Sequence, residues 1–205
     1  MPQKAAVEDD ASSMRRQFLE LILSRQSVSP KRLGPPGPTY DEVAMMVSAA
    51  VTAPDHGALR PWRFILIEHD SRNALADLFQ QAKARLSPRA TPEELERERQ
   101  RALRAPTLLA VVARLQRHEP RVEERDQYAS IGAAIQNILL VAHALGYGAI
   151  MLSGRKTRDP QLVSALGLSG QEELMGFICI GTPTTSISRK CRPNVSDHLT
   201  VWRPT

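Results

Sequence analysis

The chain has 205 residues, of which 42% are hydrophobic and 4% aromatic, so it can form one globular domain whose core is mainly aliphatic. The formal net charge of +5 favours anionic ligands, but no arginine-rich stretch is interleaved with aromatic residues, which argues against nucleic-acid binding. Cys179 and Cys191 do not make a disulfide framework, no apolar stretch reaches the roughly 20 residues of a membrane span, and Met1 to Asp10 is not a secretory signal, so we expect a cytoplasmic protein.

The N-terminal part of the chain predicts two helices separated by a proline-rich connector. Residues 1–12 are polar and without period, and we expect them to be disordered. Ser13 is a candidate cap for a first helix that ends near Ser24. Thr39 and Glu42 have the spacing of a capping box, which predicts the start of the second helix.

A polar break from Ala53 to Trp62 follows the second helix and precedes an apolar strand over residues 62–68. The break holds two prolines, a glycine and the polar residues Asp55, His56 and Arg60. Prolines and glycine end the helix and leave backbone amides without regular partners. A short polar loop between two packed elements often carries a binding site, although it is also consistent with a simple helix end followed by a strand.

The segment from Thr91 to about residue 104 predicts a helix made almost entirely of charged residues. Proline at its first position and glutamates in its first turn favour helix formation. Pairs four residues apart support it, but little of it can be buried. We therefore expect a mobile or solvent-facing cover, and this helix is also the main support for an alternative nucleic-acid-binding function.

The remaining pattern alternates strands and helices. The expected elements are a helix over residues 71–86, a strand over 107–113, a long helix over 128–145, a strand over 149–152, a short helix over 159–166, a strand over 174–180, and a tail over 184–205. This order predicts an α+β fold in which a mixed sheet is sandwiched by helices. We expect one domain over residues 13–205, with a tail that wraps onto another subunit.

Four short motifs follow one another along the chain. They are Ser24-Arg25-Gln26-Ser27, Ala53-Pro54-Asp55-His56 with Arg60-Pro61-Trp62, Leu145-Gly146-Tyr147-Gly148-Ala149 with Ser153-Gly154, and Gly181-Thr182-Pro183 before a basic tail. As an ordered set, from about Ser13 to the C-terminus, they resemble the nitroreductase family of FMN-dependent, NAD(P)H-oxidising enzymes. The Asp-His form of the loop is similar to its smaller, single-domain branch. The chain departs from the family pattern at Gln26, commonly basic there, and at Arg60, commonly glutamine there.

The resemblance implies an α+β fold, a homodimer with exchanged termini, and one FMN in each of two clefts at the dimer interface. It also implies a set of cofactor-binding residues and no catalytic side chain, since the chemistry belongs to the flavin. The implied cofactor-binding residues are Arg25, Gln26, Ser27 and Arg189 for the phosphate, Thr52 and His56 for the flavin or its ribityl chain, and Met151, Leu152 and Ser153 for the ring.

Each implied residue also has a simpler structural interpretation. Arg25 is consistent with a cation near a helix C-terminus, and Thr52 with a capping hydroxyl. His56 is consistent with a loop histidine bonded to a nearby carbonyl group. The stretch from Met151 to Ser153 is consistent with ordinary packing between a helix and a strand.

The function implied by the resemblance is NAD(P)H oxidation by ping-pong hydride transfer through flavin N5 to a nitroaromatic, a quinone or a similar flat electrophile. NADH and NADPH both remain open as the co-substrate. The sequence has no Ser-His-Asp or Cys-His order, no metal-ligand cluster and no Gly-x-Gly-x-x-Gly loop. The alternatives are a flavin protein with another redox role, such as dehalogenation, ring oxidation or flavin processing, and a basic regulatory or nucleic-acid-binding protein.

Overall fold

The computed structural model describes the backbone of residues 2–188 and 190–204, and the side chains of that part from residue 12 onward. Its helices are α1 Pro2–Ser24, α2 Tyr40–Ala50, α3 Arg72–Leu86, α4 Pro92–Gln100, α5 Glu124–Ala144 and α6 Pro160–Ala165. Its strands are β1 Leu33–Gly34, β2 Trp62–Ile67, β3 Thr107–Arg114, β4 Gly148–Leu152 and β5 Glu172–Pro183.

Local signals place the starts of two helices as predicted. The hydroxyl of Thr39 accepts a hydrogen bond from the backbone N–H of Glu42, whose carboxylate accepts one from the backbone of Thr39. Thr91 and Glu94 form the same reciprocal pair at the start of α4. These capping boxes satisfy donors that have no partner inside the helix, so the predicted helix starts are confirmed.

The five strands form one sheet in the order β1-β5-β3-β2, and β4 also pairs with β5. Every strand pairing among the described residues is antiparallel. The sheet is therefore antiparallel, whereas the sequence had predicted a mixed one. The α+β class is confirmed. Among the described strands, β4 pairs with β5 alone, so one edge of β4 has backbone groups that none of these strands uses.

Helices cover both faces of the sheet, as the predicted sandwich requires. Alternate residues of β3 point to opposite faces. Leu109 and Val111 pack in the core formed with α2 and α5, whereas Leu108 and Val112 pack in the core formed with α3 and α6. All four side chains are at most 1% exposed, which explains why β3 is an unbroken apolar run in the sequence.

Several element boundaries differ from the predicted ones, and β5 runs on through Pro183, where the sequence predicted a stop. Helix α1 begins at Pro2, before the Ser13 cap, and spans the segment that we expected to be disordered. Helix α5 begins at Glu124, because its charged first turn extends the apolar pattern that starts at Tyr128. The division into a single domain from residue 13 stays a prediction. Within the described residues, no helix is long and apolar enough to cross a membrane.

Candidate functional site

The end of α1 forms one wall of a hollow of about 300 Å³, which we call the α1–α5 hollow. The backbone N–H of Val28 donates a 3.1 Å hydrogen bond to the carbonyl oxygen of Ala149, which fixes the segment after α1 against the start of β4. The lining residues are Ser24, Arg25, Gln26, Val28, Leu139, His143, Gly146, Tyr147, Gly148, Ala149, Pro183 and Ile187.

The α1–α5 hollow has a positive electrostatic environment. The hydroxyl oxygen of Ser24 lies 2.9 Å from Nε2 of His143. Burial, followed by the charge of Arg25, lowers the pKa of His143. Burial, followed by the charge of Arg192, also lowers the pKa of Arg25. Positive charge on Arg192 and Arg25 therefore repels a proton on Arg25 and on His143, respectively. A bound anion would offset this repulsion.

The C-terminal tail reaches the end of α1 and changes the interpretation of Arg25. Arg192 donates hydrogen bonds from Nη2 to the carbonyl oxygens of Leu23, at 3.2 Å, and Arg25, at 2.5 Å. Arg192 is thus the cation that binds the last carbonyls of α1. The guanidinium of Arg25 has no hydrogen-bond partner among the described residues and remains available for a ligand.

Gln26 and Ser27 also belong to this region. Nε2 of Gln26 donates a 3.1 Å hydrogen bond to the carbonyl oxygen of Ser188, while its Oε1 is buried and has no hydrogen-bond partner among the residues that the structure describes. A buried acceptor without a donor costs free energy, so Oε1 is suited to a ligand hydroxyl. The Ser27 side chain is exposed. Arg189, the predicted tail contact, lies outside the described residues.

The other end of β4 opens onto a hollow of about 880 Å³, which we call the β4-end hollow. Met151 and Leu152 are half-buried in β4, opposite Ile178 and Phe177 of β5, and Ser153 follows the strand. At about 3.3 Å per residue, Ser153 lies ~13 Å along the strand from Ala149. The lining residues are Tyr128, Ser153, Gly154, Arg155, Thr157, Arg158, Val163, Glu172, Glu173, Leu174 and Met175.

A smaller hollow of about 220 Å³ lies on the α4 side of Ser153, and we call it the α4 hollow. Glu98 lies next to it, accepting a 2.8 Å hydrogen bond from Nζ of Lys156 and forming a 2.8 Å ion pair with Nη1 of Arg101. Burial raises the pKa of Cys179 to about 11, so its thiol stays protonated. The lining residues are Pro30, Phe79, Arg101, Arg104, Leu108, Leu152, Ser153, Lys156, Phe177 and Cys179.

The α4 hollow corrects the prediction that this helix is only a solvent-facing cover. Glu98 is 8% exposed, and the residues just after α4 bring Arg101 and Arg104 to the hollow beside Ser153. These cations were missed because the charged run in the sequence suggested a solvated face. Two alanines in the segment after α4 could have indicated that it packs against the domain. Ala102 and Ala105 are fully or almost fully buried.

The loop after α2 places the two remaining predicted residues elsewhere. The hydroxyl of Thr52 donates a 2.8 Å hydrogen bond to the carbonyl oxygen of Ala49, as the capping interpretation expects. The His56 side chain is 63% exposed, with Nδ1 3.6 Å from a carboxylate oxygen of Asp126. Ala58, with φ of 53°, is a non-glycine residue in the left-handed region, so this loop holds backbone strain of the kind that collects at functional sites.

Helix α5 separates His56 from Arg25 within one chain. His56 lies beside Asp126 in the first turn of α5, and the end of α1 lies beside His143 in the last turn. Because an α-helix rises about 1.5 Å per residue, these two ends of α5 are ~25 Å apart. One chain therefore joins Arg25 to Ser153 through β4, but it does not bring Arg25 and His56 to the same place.

The chain is similar in sequence to proteins of one known family. The nitroreductase family model matches residues 22–182. YdjA of Escherichia coli strain K12, whose assignment as an NAD(P)H nitroreductase is itself provisional, is 31% identical over 170 residues, which cover 83% of this chain and 90% of that protein. The 5,6-dimethylbenzimidazole synthase of Rhodospirillum rubrum is 31% identical over 155 residues, covering 70% and 72% of the two chains.

Solved structures show the same fold. A nitroreductase-like protein from Bacillus cereus superposes with a TM-score of 0.74 and 23% identity, over 89% of this chain and 94% of that one. A protein from Desulfovibrio desulfuricans, described as a nitroreductase in complex with FMN, superposes with a TM-score of 0.67 and 25% identity, over 91% of this chain and 97% of that one.

Proposed function

The chain belongs to the nitroreductase family, and we propose that it is an FMN-dependent NAD(P)H oxidoreductase that acts as a homodimer. The observation that carries the proposal is a continuous strip along β4. The strip starts at the guanidinium of Arg25, which has no partner among the described residues, follows the open edge of β4, and ends at Ser153 beside the cations of the α4 hollow. FMN has the complementary order of a phosphate, a polar ribityl chain and a flat ring.

The α1–α5 hollow has the groups that a phosphate and a ribityl chain require. The planar guanidinium of Arg25 can bind two phosphate oxygens. The hydroxyl of Ser27, which is exposed next to the hollow, can donate to a third. Burial first, and repulsion between the cations second, lower the pKa of both Arg25 and His143, and negative charge there would offset the repulsion. The buried Oε1 of Gln26 needs a donor, which a ribityl hydroxyl supplies.

The far end of β4 has the groups that a flavin ring requires. Unpaired backbone groups on the open edge of β4, and the hydroxyl of Ser153, can hydrogen-bond to the ring edge. Arg101 and Lys156, both held by Glu98, would stabilise the negative charge of a reduced ring bound beside Ser153. Bound FMN would supply the redox chemistry, taking hydride from NAD(P)H and passing electrons to a flat electrophile such as a nitroaromatic or a quinone.

A second copy of the chain would complete the site and cover exposed apolar side chains. Phe18 and Leu23 of α1 are 61% and 68% exposed, and Trp202 of the tail is 82% exposed. Apolar surface of this kind marks an interface. If α5 pairs antiparallel with α5 of the second copy, the partner subunit's His56 comes to the Arg25 end of the site.

The proposal is tested by adding FMN to purified protein and then adding each nicotinamide without oxygen. We expect yellow protein whose flavin absorbance is retained on gel filtration and bleached by NADH, by NADPH or by both, and reoxidised by a nitroaromatic or a quinone. Colourless protein that takes up no FMN would overturn the proposal.

A second candidate is a flavin-binding protein with a different redox role, favoured by the likeness to a 5,6-dimethylbenzimidazole synthase. Such a protein would bind FMN through the same strip along β4. The same experiment distinguishes the two candidates. Bound FMN that neither NADH nor NADPH bleaches, and that an artificial reductant does bleach, selects this second function.

A further inference from the structure

A short turn next to Ser153 carries two arginines that face the same way. Gly154 has a φ of 148°, and residues Arg155–Arg158 after it form a 3₁₀-helix. The hydroxyl of Thr157 donates a 2.9 Å hydrogen bond to the carbonyl oxygen of Gly154, which holds the turn closed. Side chains three residues apart are eclipsed in a 3₁₀-helix, so Arg155 and Arg158 lie side by side.

Both arginines are exposed, both line the β4-end hollow, and neither has a hydrogen-bond or ion-pair partner among the described residues. Lys156, between them, points to the other side of the turn. Its ammonium group bonds to Glu98 at 2.8 Å and lies 4.6 Å from the ring centre of Phe79. The turn therefore presents two free guanidinium groups to the β4-end hollow and one paired cation to the α4 hollow.

The carboxylates that line the β4-end hollow are already paired with other groups. Glu172 forms ion pairs of 2.8 Å with Arg63 and 3.1 Å with Arg114. Glu173 pairs with Arg117 and accepts a 2.7 Å hydrogen bond from the hydroxyl of Tyr128. These carboxylates do not neutralise Arg155 and Arg158.

Asp159, the neighbour of Arg158 in the sequence, also has other partners. It is 1% exposed, accepts hydrogen bonds of 2.8 and 2.7 Å from Arg85, and caps α6 through a 2.9 Å bond from the backbone N–H of Leu162. Two adjacent like charges repel each other, and an anion between them would offset this repulsion. The β4-end hollow therefore presents two planar guanidinium groups that an anionic ligand could pair with.

We propose that Arg155 and Arg158 bind the pyrophosphate of the nicotinamide dinucleotide that reduces the flavin. Two side-by-side guanidinium groups match two linked phosphates, each of which accepts paired hydrogen bonds. The β4-end hollow, at about 880 Å³, has the size of a ligand site and touches Ser153, where the ring end of the flavin strip lies. This assignment rests on the proposed function. It means that Arg155 and Arg158 recognise the nicotinamide dinucleotide and do not bind FMN.

The test compares wild-type protein with Arg155→Gln/Arg158→Gln, both loaded with FMN. Bleaching of the flavin is followed with NADH, NADPH and 1-benzyl-1,4-dihydronicotinamide, which has the same reactive ring and no phosphate. We expect the double variant to need a roughly tenfold to hundredfold higher concentration of NADH or NADPH for half-maximal bleaching, the loss expected for charge-assisted hydrogen bonds. The concentration dependence with the phosphate-free donor should not change. Equal losses with all three donors, or no loss, would overturn the assignment.

A binding measurement without turnover separates this assignment from the proposed function. Inorganic pyrophosphate is titrated calorimetrically into three proteins that all carry Arg25→Ala, which removes the proposed phosphate site of the α1–α5 hollow. They are the otherwise unchanged chain, the double variant and Arg89→Gln, which removes an exposed arginine outside the three hollows. We expect binding to be lost only in the double variant. Unchanged binding there would refute the anion site even if the protein is yellow. Loss of binding in a protein that takes up no FMN would retain the anion site and remove the proposed function.

A third experiment tests whether Arg155 and Arg158 bind the electron donor or the electron acceptor. Flavin reduced with an artificial reductant is reoxidised by a neutral nitroaromatic and by one that carries a carboxylate. We expect the double variant to match wild type with both acceptors. A loss confined to the carboxylate-bearing acceptor would overturn the donor assignment and place the acceptor on Arg155 and Arg158 instead.

Discussion

Two arginines near the end of α1 have different partners, and this difference determines which of them can bind a ligand. The Arg192 guanidinium is occupied by the carbonyl oxygens of Leu23 and Arg25, whereas the Arg25 guanidinium has no partner in the described part of the chain. The short motif around Arg25 indicated a phosphate site from the sequence. The role of Arg192 was not predictable, because its contact joins residues 169 positions apart.

Arg25→Ala should weaken FMN binding by about 1.5–3 kcal/mol, the usual contribution of hydrogen bonds to a charged group. The measurement is a titration of the folded variant with FMN, followed by flavin fluorescence. Arg16→Ala is a matched control, because Arg16 is exposed on the same helix and lines none of the hollows. Equal affinities in the variant and wild type would remove Arg25 from the site.

His143 should make the stability of the flavin-free protein depend on pH. Burial and Arg25 lower its pKa in the folded state, whereas in the unfolded chain it returns to about 6.5. Between these two pKa values the unfolded state binds more protons, so the free energy of unfolding should decrease as the pH falls below about 6.5. Below the folded-state pKa the loss should level off, because both states are then protonated.

The measurement for His143 is urea unfolding at several pH values, with His143→Asn as the matched variant. Carboxylates also titrate in acid, but they contribute equally to both proteins and cancel in the difference. We expect the stability difference between the two proteins to change as the pH falls below about 6.5 and to become constant below the folded-state pKa of His143. A pH-independent difference would show that His143 has the same pKa in both states.

At the scale of elements, β4 owes its position to a close contact with β5. Gly176 of β5 has a φ of 148°, and a Cβ atom there would lie 2.3 Å from the carbonyl oxygen of Leu152. The register of β3 against β5 also shifts between Val111 and Val112, opposite this glycine. Only glycine allows β5 to approach the last residue of β4, which precedes Ser153.

Gly176→Ala should therefore destabilise the protein by about 2–6 kcal/mol, the combined range for overpacking and for a strained backbone. Gly170→Ala is the control, because a Cβ there meets nothing within 4 Å. Thermal unfolding of both variants provides the measurement. If Gly176→Ala is as stable as the control, the contact between β5 and β4 is looser than the structure shows.

Elements with a local signal were predictable, and elements that depend on distant contacts were not. The α2 capping box and the apolar run of β3 are explained by neighbouring residues alone. Strand β1 has two residues in the proline-rich connector and exists because it pairs with the end of β5. The cations of the α4 hollow are brought together by Glu98, whose bond to Lys156 joins residues 58 positions apart.

At the scale of the whole molecule, α5 determines which parts of the site can come from one chain. Its direction is opposite to that of α2. Tyr147, just beyond the C-terminal end of α5, donates a hydrogen bond to Glu42, and Asn137 of α5 donates one to the carbonyl of Ala49. The loop with His56 is thereby carried to the N-terminal end of α5, away from Arg25. A two-fold axis across α5 would reverse this order in the second copy.

Mixing two defective variants tests whether Arg25 and His56 act in the same site from different chains. In a mixed dimer of Arg25→Ala and His56→Ala, one site would carry both substitutions and the other would carry neither. After unfolding and refolding a one-to-one mixture, we expect about a quarter of the wild-type flavin sites, because roughly half of the dimers are mixed and each has one intact site of two. Bound flavin is measured at an FMN concentration at which each variant alone stays colourless. A mixture as colourless as its parents would mean that each chain builds its site alone, and the antiparallel pairing of α5 would be wrong.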